Sequence, residues 1–208
     1  MKYLRLVPIL SLLILGACTS SNGTSETAGS ATGYQVGDTA RDFQLKSVDG
    51  KMISLTSYEY AKGYIVIFTC NTCPYSKMYE DRIIALHNEF AGKGYPVVAI
   101  NPNDESKSSG DSFEEMIVRA RDKGFKFPYV QDKTQELAKA YGATNTPHVY
   151  VLNKDRKVVY IGSIDNNARD ATDADKFYVK DAINALENNK DPEVSKTKAI
   201  GCTIKWAI

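Results

Sequence analysis

Continuous apolar runs alternate along this chain with segments whose apolar residues recur at helical spacing. Residues 64–68 form an unbroken apolar, β-branched run, which is typical of a central strand buried on both faces. In residues 74–90 the apolar residues have near-helical spacing, and Gly92 follows, so a helix is predicted there. The same patterns predict further strands at 95–100, 127–130, 148–152 and 157–161, and further helices at 113–123, 134–141 and 175–187.

The order of these elements predicts the fold class. Strands alternate with helices, and a β-hairpin and a helix close the series, so we expect an α/β fold with a mixed central sheet covered by helices on both faces. Asp49-Gly50 lies between short extended segments at 40–45 and 52–55, which indicates an N-terminal β-hairpin extension. Residues 101–112 are interpreted as a polar loop, and its segment 103–111 is most simply solvated, although such a loop can also form a substrate rim.

The N-terminal residues are predicted to lie outside this fold. Lys2 and Arg5 precede an apolar stretch at 6–15 that is too short for a bilayer span, which is typical of a secretory signal at 1–17. The stretch ends in Leu-Gly-Ala-Cys at Cys18, which resembles the lipobox of bacterial lipoproteins. That resemblance implies lipidation of Cys18 and a protein anchored in the bacterial cell envelope, facing the periplasm or another extracytoplasmic space.

The remaining chain divides by composition. Residues 18–33 are mostly Ser, Thr, Gly and Ala and predict a lipidated flexible tether. Residues 34–190 carry the predicted elements and form one domain, and 191–208 form a tail expected to pack on it. The chain has 26 basic and 25 acidic residues, and loss of Lys2 and Arg5 with the signal leaves 24 against 25. This near-neutral balance gives no electrostatic case for nucleic acid.

Cys70 and Cys73 lie where the central strand meets its helix. Open α/β sheets place their chemistry at the carboxyl ends of strands. The loop between these cysteines is too small to stabilise the fold much as a disulfide, so the spacing favours chemistry. A helix N-terminus lowers a thiol pKa, and Pro74 suits the first turn. We expect Cys70 to be the exposed, attacking sulfur and Cys73 to resolve the mixed disulfide. The dithiol itself carries two electrons, so no cofactor is expected.

The order strand, Cys-x-x-Cys, helix and then Thr146-Pro147 before a hairpin strand resembles the thioredoxin-fold redoxins over residues 34–189. The resemblance implies a cis bond between Thr146 and Pro147, with the Thr146 backbone binding the substrate chain and Pro147 shaping the site. Residues 70–75, 80–83 and 201–206 are similar to a peroxiredoxin-like, AhpC/TSA-related subgroup. The predicted function is thiol–disulfide exchange with protein disulfides, with a membrane electron donor for re-reduction.

Two alternatives remain open at this stage. The peroxidatic pattern Pro-x-x-x-Thr-x-x-Cys would place Ile67 at the threonine if Cys70 were the reactive cysteine, so a peroxidase reading predicts low efficiency. Cys70, Cys73 and His148 could instead converge on Cu(I) in a copper-handling module. A fourth ligand for structural zinc is not visible in the sequence, and His148 is interpreted more simply as tuning a thiolate, so no metal is expected.

Cys202 lies in the tail, and two interpretations of it are open. It is a candidate third thiol that docks over the pair, or an inert cysteine packed with Ile204 and Trp206. The sequence slightly favours the inert reading.

Overall fold

The computed structural model describes residues 33–207, so the predicted signal at 1–17, Cys18 and the tether up to residue 32 lie outside the described residues. The strands are β1 Leu45–Lys46, β2 Met52–Ile53, β3 Gly63–Phe68, β4 Val97–Asn101, β5 Tyr129–Gln131, β6 Asn145–Thr146, β7 His148–Asn153, β8 Val158–Gly162 and β9 Cys202–Thr203. The α-helices are α1 Pro74–Phe90, α2 Phe113–Lys123, α3 Glu136–Tyr141 and α4 Tyr178–Glu187. In the described part, no helix is both long and apolar enough to cross a bilayer.

The predicted mixed sheet is confirmed. Its strand order is β5-β4-β3-β7-β8, and β3 pairs in parallel with β4 and antiparallel with β7. All six residues of β3 are buried, because alternate side chains enter hydrophobic cores on opposite faces. Ile65 and Ile67 pack in one core, and Val66 and Phe68 pack in the other. The continuous apolar run therefore forms the centre of the sheet.

Helices α1 and α2 have the predicted bounds, whereas α3 and α4 begin later than predicted. Gln135 has a φ of 60°, a left-handed conformation that cannot continue into the first turn of α3. Before α4, the Asn166 side chain accepts hydrogen bonds from the backbone N–H groups of Asp175 and Lys176, which hold these residues in a loop. The left-handed conformation of Gln135 thus shifts the start of α3, and the Asn166 hydrogen bonds shift the start of α4.

The N-terminal hairpin is confirmed and attaches to an edge of the sheet. Strands β1 and β2 are antiparallel, with Leu45 opposite Ile53. The hairpin lies beside β5, since Ser47 bridges Val130 and the Val48 N–H donates to the Tyr129 carbonyl at 3.0 Å. It therefore covers backbone groups of an edge strand that would otherwise be free to pair with another chain.

The tail packs on the domain and adds a strand that the sequence did not predict. β9 is antiparallel to β6, with Thr203 opposite Asn145 and Cys202 opposite Thr146. Ile204, which is 3% exposed, anchors the tail in the second core. The tail thus reaches the point where the chain enters β7.

Candidate redox site

The cysteine pair lies between the end of β3 and the start of α1, as predicted. Cys73 is the N-cap of α1, and Pro74 is its first residue. The bond between Thr146 and Pro147 is cis, which confirms the prediction. Thr146 contacts both cysteines: its Oγ1 is 3.1 Å from Cys70 Sγ, and its carbonyl accepts a hydrogen bond from Cys73 Sγ at 3.1 Å. The two predicted motifs therefore form a single site.

The expectation that Cys70 is exposed is wrong. Cys70 and Cys73 are each 3% exposed. Cys70 lies under Thr146 and within 3.7 Å of the buried Ser76 hydroxyl. Cys73 is covered by the tail. A partner sulfur therefore cannot reach either cysteine in this conformation.

Cys202 lies directly against the pair and is only half-buried, so the predicted buried position away from the pair is wrong. Cys202 Sγ is 2.6 Å from Cys73 Sγ, and the Cys202 backbone N–H donates to Cys73 Sγ at 3.3 Å. The three cysteines are present as free thiols, and Cys202 is the only half-buried one among the described residues. β9 determines this position, because Cys202 is the register partner of Thr146.

The contacts of the pair decide which sulfur ionises first. The hydrogen bond between the cysteines lowers the pKa of Cys73 and raises the pKa of Cys70. Burial and the negative charge of Asp111 raise the pKa of Cys70 further. Cys73 is stabilised as a thiolate by the Cys202 thiol, the Cys202 N–H and the N-terminus of α1, against its burial. Burial and the adjacent Cys73 raise the pKa of Cys202 to about 11.

Asp111 is a site residue that the sequence analysis missed. Its carboxylate accepts hydrogen bonds from Asn71 N (2.6 Å), Thr72 Oγ1 (2.7 Å), Ser108 Oγ (2.7 Å), Asn103 Nδ2 (2.9 Å) and Asn101 Nδ2 (3.2 Å). Burial opposes the charge of Asp111, but these donors outweigh it and lower its pKa. The interpretation of 103–111 as a solvated loop is therefore wrong for Asn103 and Asp111, which are buried. Several short polar residues between two predicted elements were the available signal.

His148 does not join the cysteines. Its side chain shares a face of β7 with Tyr150, and their ring centroids are 4.8 Å apart. His148 Nδ1 accepts a hydrogen bond from the Thr144 N–H at 3.4 Å, and burial followed by the charge of Lys196 lowers its pKa to about 4. Between residues 33 and 207, no group of three or more His, Cys, Asp or Glu side chains is placed to hold a metal ion. The predicted ligand set of Cys70, Cys73 and His148 is therefore wrong.

Comparison with known proteins agrees with this geometry. The AhpC/TSA family model matches residues 36–161, which is more than half of the chain. The chain belongs to the AhpC/TSA family. It has the thioredoxin-like fold of the redoxin superfamily and is an oxidoreductase.

Individual relatives give more detail. The chain is 28% identical to the thiol-disulfide oxidoreductase ResA of Geobacillus thermodenitrificans (strain NG80-2), over 72% of this chain and 79% of that protein. A hypothetical protein from Sinorhizobium meliloti 1021 is 31% identical, with a TM-score of 0.78 over 84% of this chain and 96% of its own. An uncharacterized conserved protein from Geobacillus kaustophilus is 35% identical, with a TM-score of 0.77 over 83% of this chain and 93% of its own.

Proposed function

We propose that this protein is an extracytoplasmic thiol–disulfide oxidoreductase that reduces disulfides in partner proteins. The observation that carries the proposal is the contact of Thr146 with both Cys70 and Cys73 at the N-terminus of α1. The similarity to proteins named thiol-disulfide oxidoreductase ResA supports it.

The contacts of the sulfurs suggest an order of steps that differs from the sequence-based expectation. Once the tail moves away from Cys73, the Cys73 thiolate attacks a partner disulfide, forms a Cys73–partner bond and releases one partner thiolate. Cys70 then gives up its proton, attacks Cys73 Sγ and forms the Cys70–Cys73 disulfide, and the departing partner sulfur takes up a proton and leaves as the second thiol. The partner thereby gains two electrons and the dithiol loses two. This order follows from the lowered pKa of Cys73 and the raised pKa of Cys70, because the thiolate is the nucleophile.

Trapping of mixed disulfides tests this order. Variants C70S/C202S and C73S/C202S each keep a single cysteine of the site, and they differ in which sulfur remains. We expect C70S/C202S to retain a disulfide-bearing peptide covalently on Cys73, and C73S/C202S to retain little. Trapping on Cys70 instead would restore the sequence-based roles. No trapping by either variant, with wild-type protein that also fails to reduce the peptide, would contradict the proposed function.

The location of the protein is part of the proposal. The signal pattern at 1–17 and the lipobox-like Cys18 support export, a lipid anchor at Cys18 and a membrane electron donor that re-reduces the dithiol. A Cys18→Ser variant, expressed in bacteria and fractionated, should leave the membrane fraction. Retention there would contradict the lipid anchor.

A thiol peroxidase of low efficiency is the second candidate. The peroxidatic motif lacks its threonine, but the Thr146 hydroxyl lies 3.1 Å from Cys70 Sγ, and this contact favours the candidate. Under this reading, peroxide would oxidise Cys70 to a sulfenic acid, and Cys73 would displace water from it to give the disulfide. Hydrogen peroxide should then oxidise the reduced protein much faster than it oxidises free cysteine. An ordinary rate would remove this candidate.

A further inference from the structure

The C-terminal tail occupies the side of the site that faces β6. Gly201 packs so closely on the Thr146 carbonyl that a Cβ added there would collide with it. Cys202 pairs with Thr146, the residue whose backbone the family resemblance assigns to a bound substrate chain. β9 therefore lies where a partner strand is expected, and it presents a sulfur to Cys73.

The tail is held there by contacts that do not involve the sulfur. The Lys205 carbonyl accepts hydrogen bonds from Gln135 Nε2 at 2.8 Å and from the Asp104 N–H at 2.9 Å. The Lys205 N–H donates to Asn103 Oδ1 at 2.9 Å, and Ile204 is buried in the second core. The position of Cys202 is therefore built by the fold, and it does not depend on an S–S bond.

We propose that Cys202 is a third redox thiol that exchanges with Cys73. In this step Cys202 loses its proton and attacks Cys73 Sγ of the Cys70–Cys73 disulfide, the Cys73–Cys202 bond forms, and Cys70 leaves and takes up a proton. One disulfide is broken and one is formed, so no external oxidant is needed. This inference rests on the proposed function, because it uses the disulfide that the function produces.

The exchange moves the disulfide from the buried pair to a bond that includes the more accessible Cys202. Cys70 and Cys73 are each 3% exposed, whereas Cys202 is half-buried. A donor dithiol can attack Cys202 Sγ and displace Cys73, which is a good leaving group because its thiolate is stabilised. The second donor thiol then releases Cys202, and the donor leaves as a disulfide. Cys202 is thus the sulfur at which a membrane dithiol re-reduces the protein.

The first test uses the full chain in detergent with Cys70→Ser, so that Cys73 and Cys202 remain. After oxidation by glutathione disulfide, acid quenching, alkylation and digestion, we expect most molecules to contain a Cys73–Cys202 disulfide. Two alkylated or glutathionylated cysteines without the internal disulfide would overturn the proposal. The matched control C70S/G201A keeps both sulfurs but displaces the strand, so it should lose most of this disulfide. Equal yields would contradict the role of β9.

The second test measures re-reduction of oxidised wild-type protein and of C202S by dithiothreitol. We expect C202S to be reduced about tenfold more slowly, because the donor must reach a buried sulfur. Equal rates would overturn the role of Cys202 as the sulfur that the donor attacks.

Mass mapping of oxidised wild-type protein separates the two proposals. A Cys70–Cys73 disulfide with Cys202 always free contradicts the exchange alone, and absence of any internal disulfide contradicts the proposed function.

Discussion

Asp111 is a buried carboxylate whose charge is balanced by hydrogen-bond donors rather than by a cation among its hydrogen-bond partners. Substituting Asp111→Asn should cost about 2 kcal/mol of unfolding free energy. Hydrogen bonds to a charged group are lost, and the NH2 group of the new side chain faces hydrogen-bond donors from which it cannot accept. Urea denaturation measures this. The exposed Glu105→Gln variant in the same loop is the control and should change stability little, because it removes only an exposed pair with Lys133. A similar effect of both substitutions would contradict the buried role of Asp111.

The lowered pKa of Asp111 also gives a pH dependence with a defined sign. A carboxyl with a folded pKa below its ordinary value of 3.8 adds stability above that pH, and this contribution is lost as the pH falls through the folded pKa. Wild-type protein should therefore lose its excess stability over D111N as the pH falls below about 3.8. Urea midpoints measured from pH 5 to pH 2.5 check this. A constant difference between the two proteins would contradict it.

His148 contributes to the pH dependence of stability with the same sign as Asp111, although its charged form is the protonated one. Its pKa is lowered from 6.5 to about 4 by burial and by Lys196, so protonation favours the unfolded chain. The contribution of neutral His148 is complete above pH 6.5 and falls progressively towards about pH 4. We expect its ring signals in NMR spectra to shift with a midpoint near pH 4, and His148→Gln to remove them. A midpoint near 6.5 would show that the ring is solvated.

At the scale of elements, an ion pair joins α1 to α2. Glu80 on α1 is 4% exposed, and Arg119 on α2 donates to both of its oxygens, at 2.6 and 2.7 Å. Glu80→Gln should destabilise the protein by about 3 kcal/mol, because it leaves a partly buried guanidinium without its partner. The matched control is Glu89→Gln, which removes the exposed pair with Lys180 and should cost less than about 0.5 kcal/mol. Thermal unfolding of both variants compares them, and equal losses would contradict the difference in burial.

Most elements of this fold were predictable, and the exceptions share a physical cause. The apolar run of β3 and the periodicity of α1 and α2 report directly on burial, and these elements match the prediction. β6 and β9 have two residues each and depend on a pairing between distant segments, so neither has a local pattern. The same is true of the site. Cys70, Cys73 and Thr146 were found from motifs and Cys202 was named as a candidate thiol, but the contact of Cys202 with Cys73 and the role of Asp111 depend on tertiary contacts.

At the scale of the whole molecule, the tail covers the cysteine pair, and contacts with the rest of the domain hold the tail in place. Two effects of the tail can be separated: it covers the pair as a strand, and it supplies a sulfur. C202S keeps the covering strand and removes the sulfur, whereas ending the chain at Ala199 removes both. The truncated chain loses the buried Ile204 side chain, which is worth about 2 kcal/mol, so its folding must be checked by circular dichroism.

If the strand covers the pair, the truncated chain should react with iodoacetamide at Cys73 much faster than C202S does. This follows because the thiolate of Cys73 is 3% exposed under the tail and would become accessible without it. Alkylation timed by mass spectrometry, with the rate at Cys70 as an internal reference, measures the difference. Equal rates in the two variants would mean that the tail does not limit access. In that case partners would reach Cys73 by another route, and Cys202 would contribute through its sulfur alone.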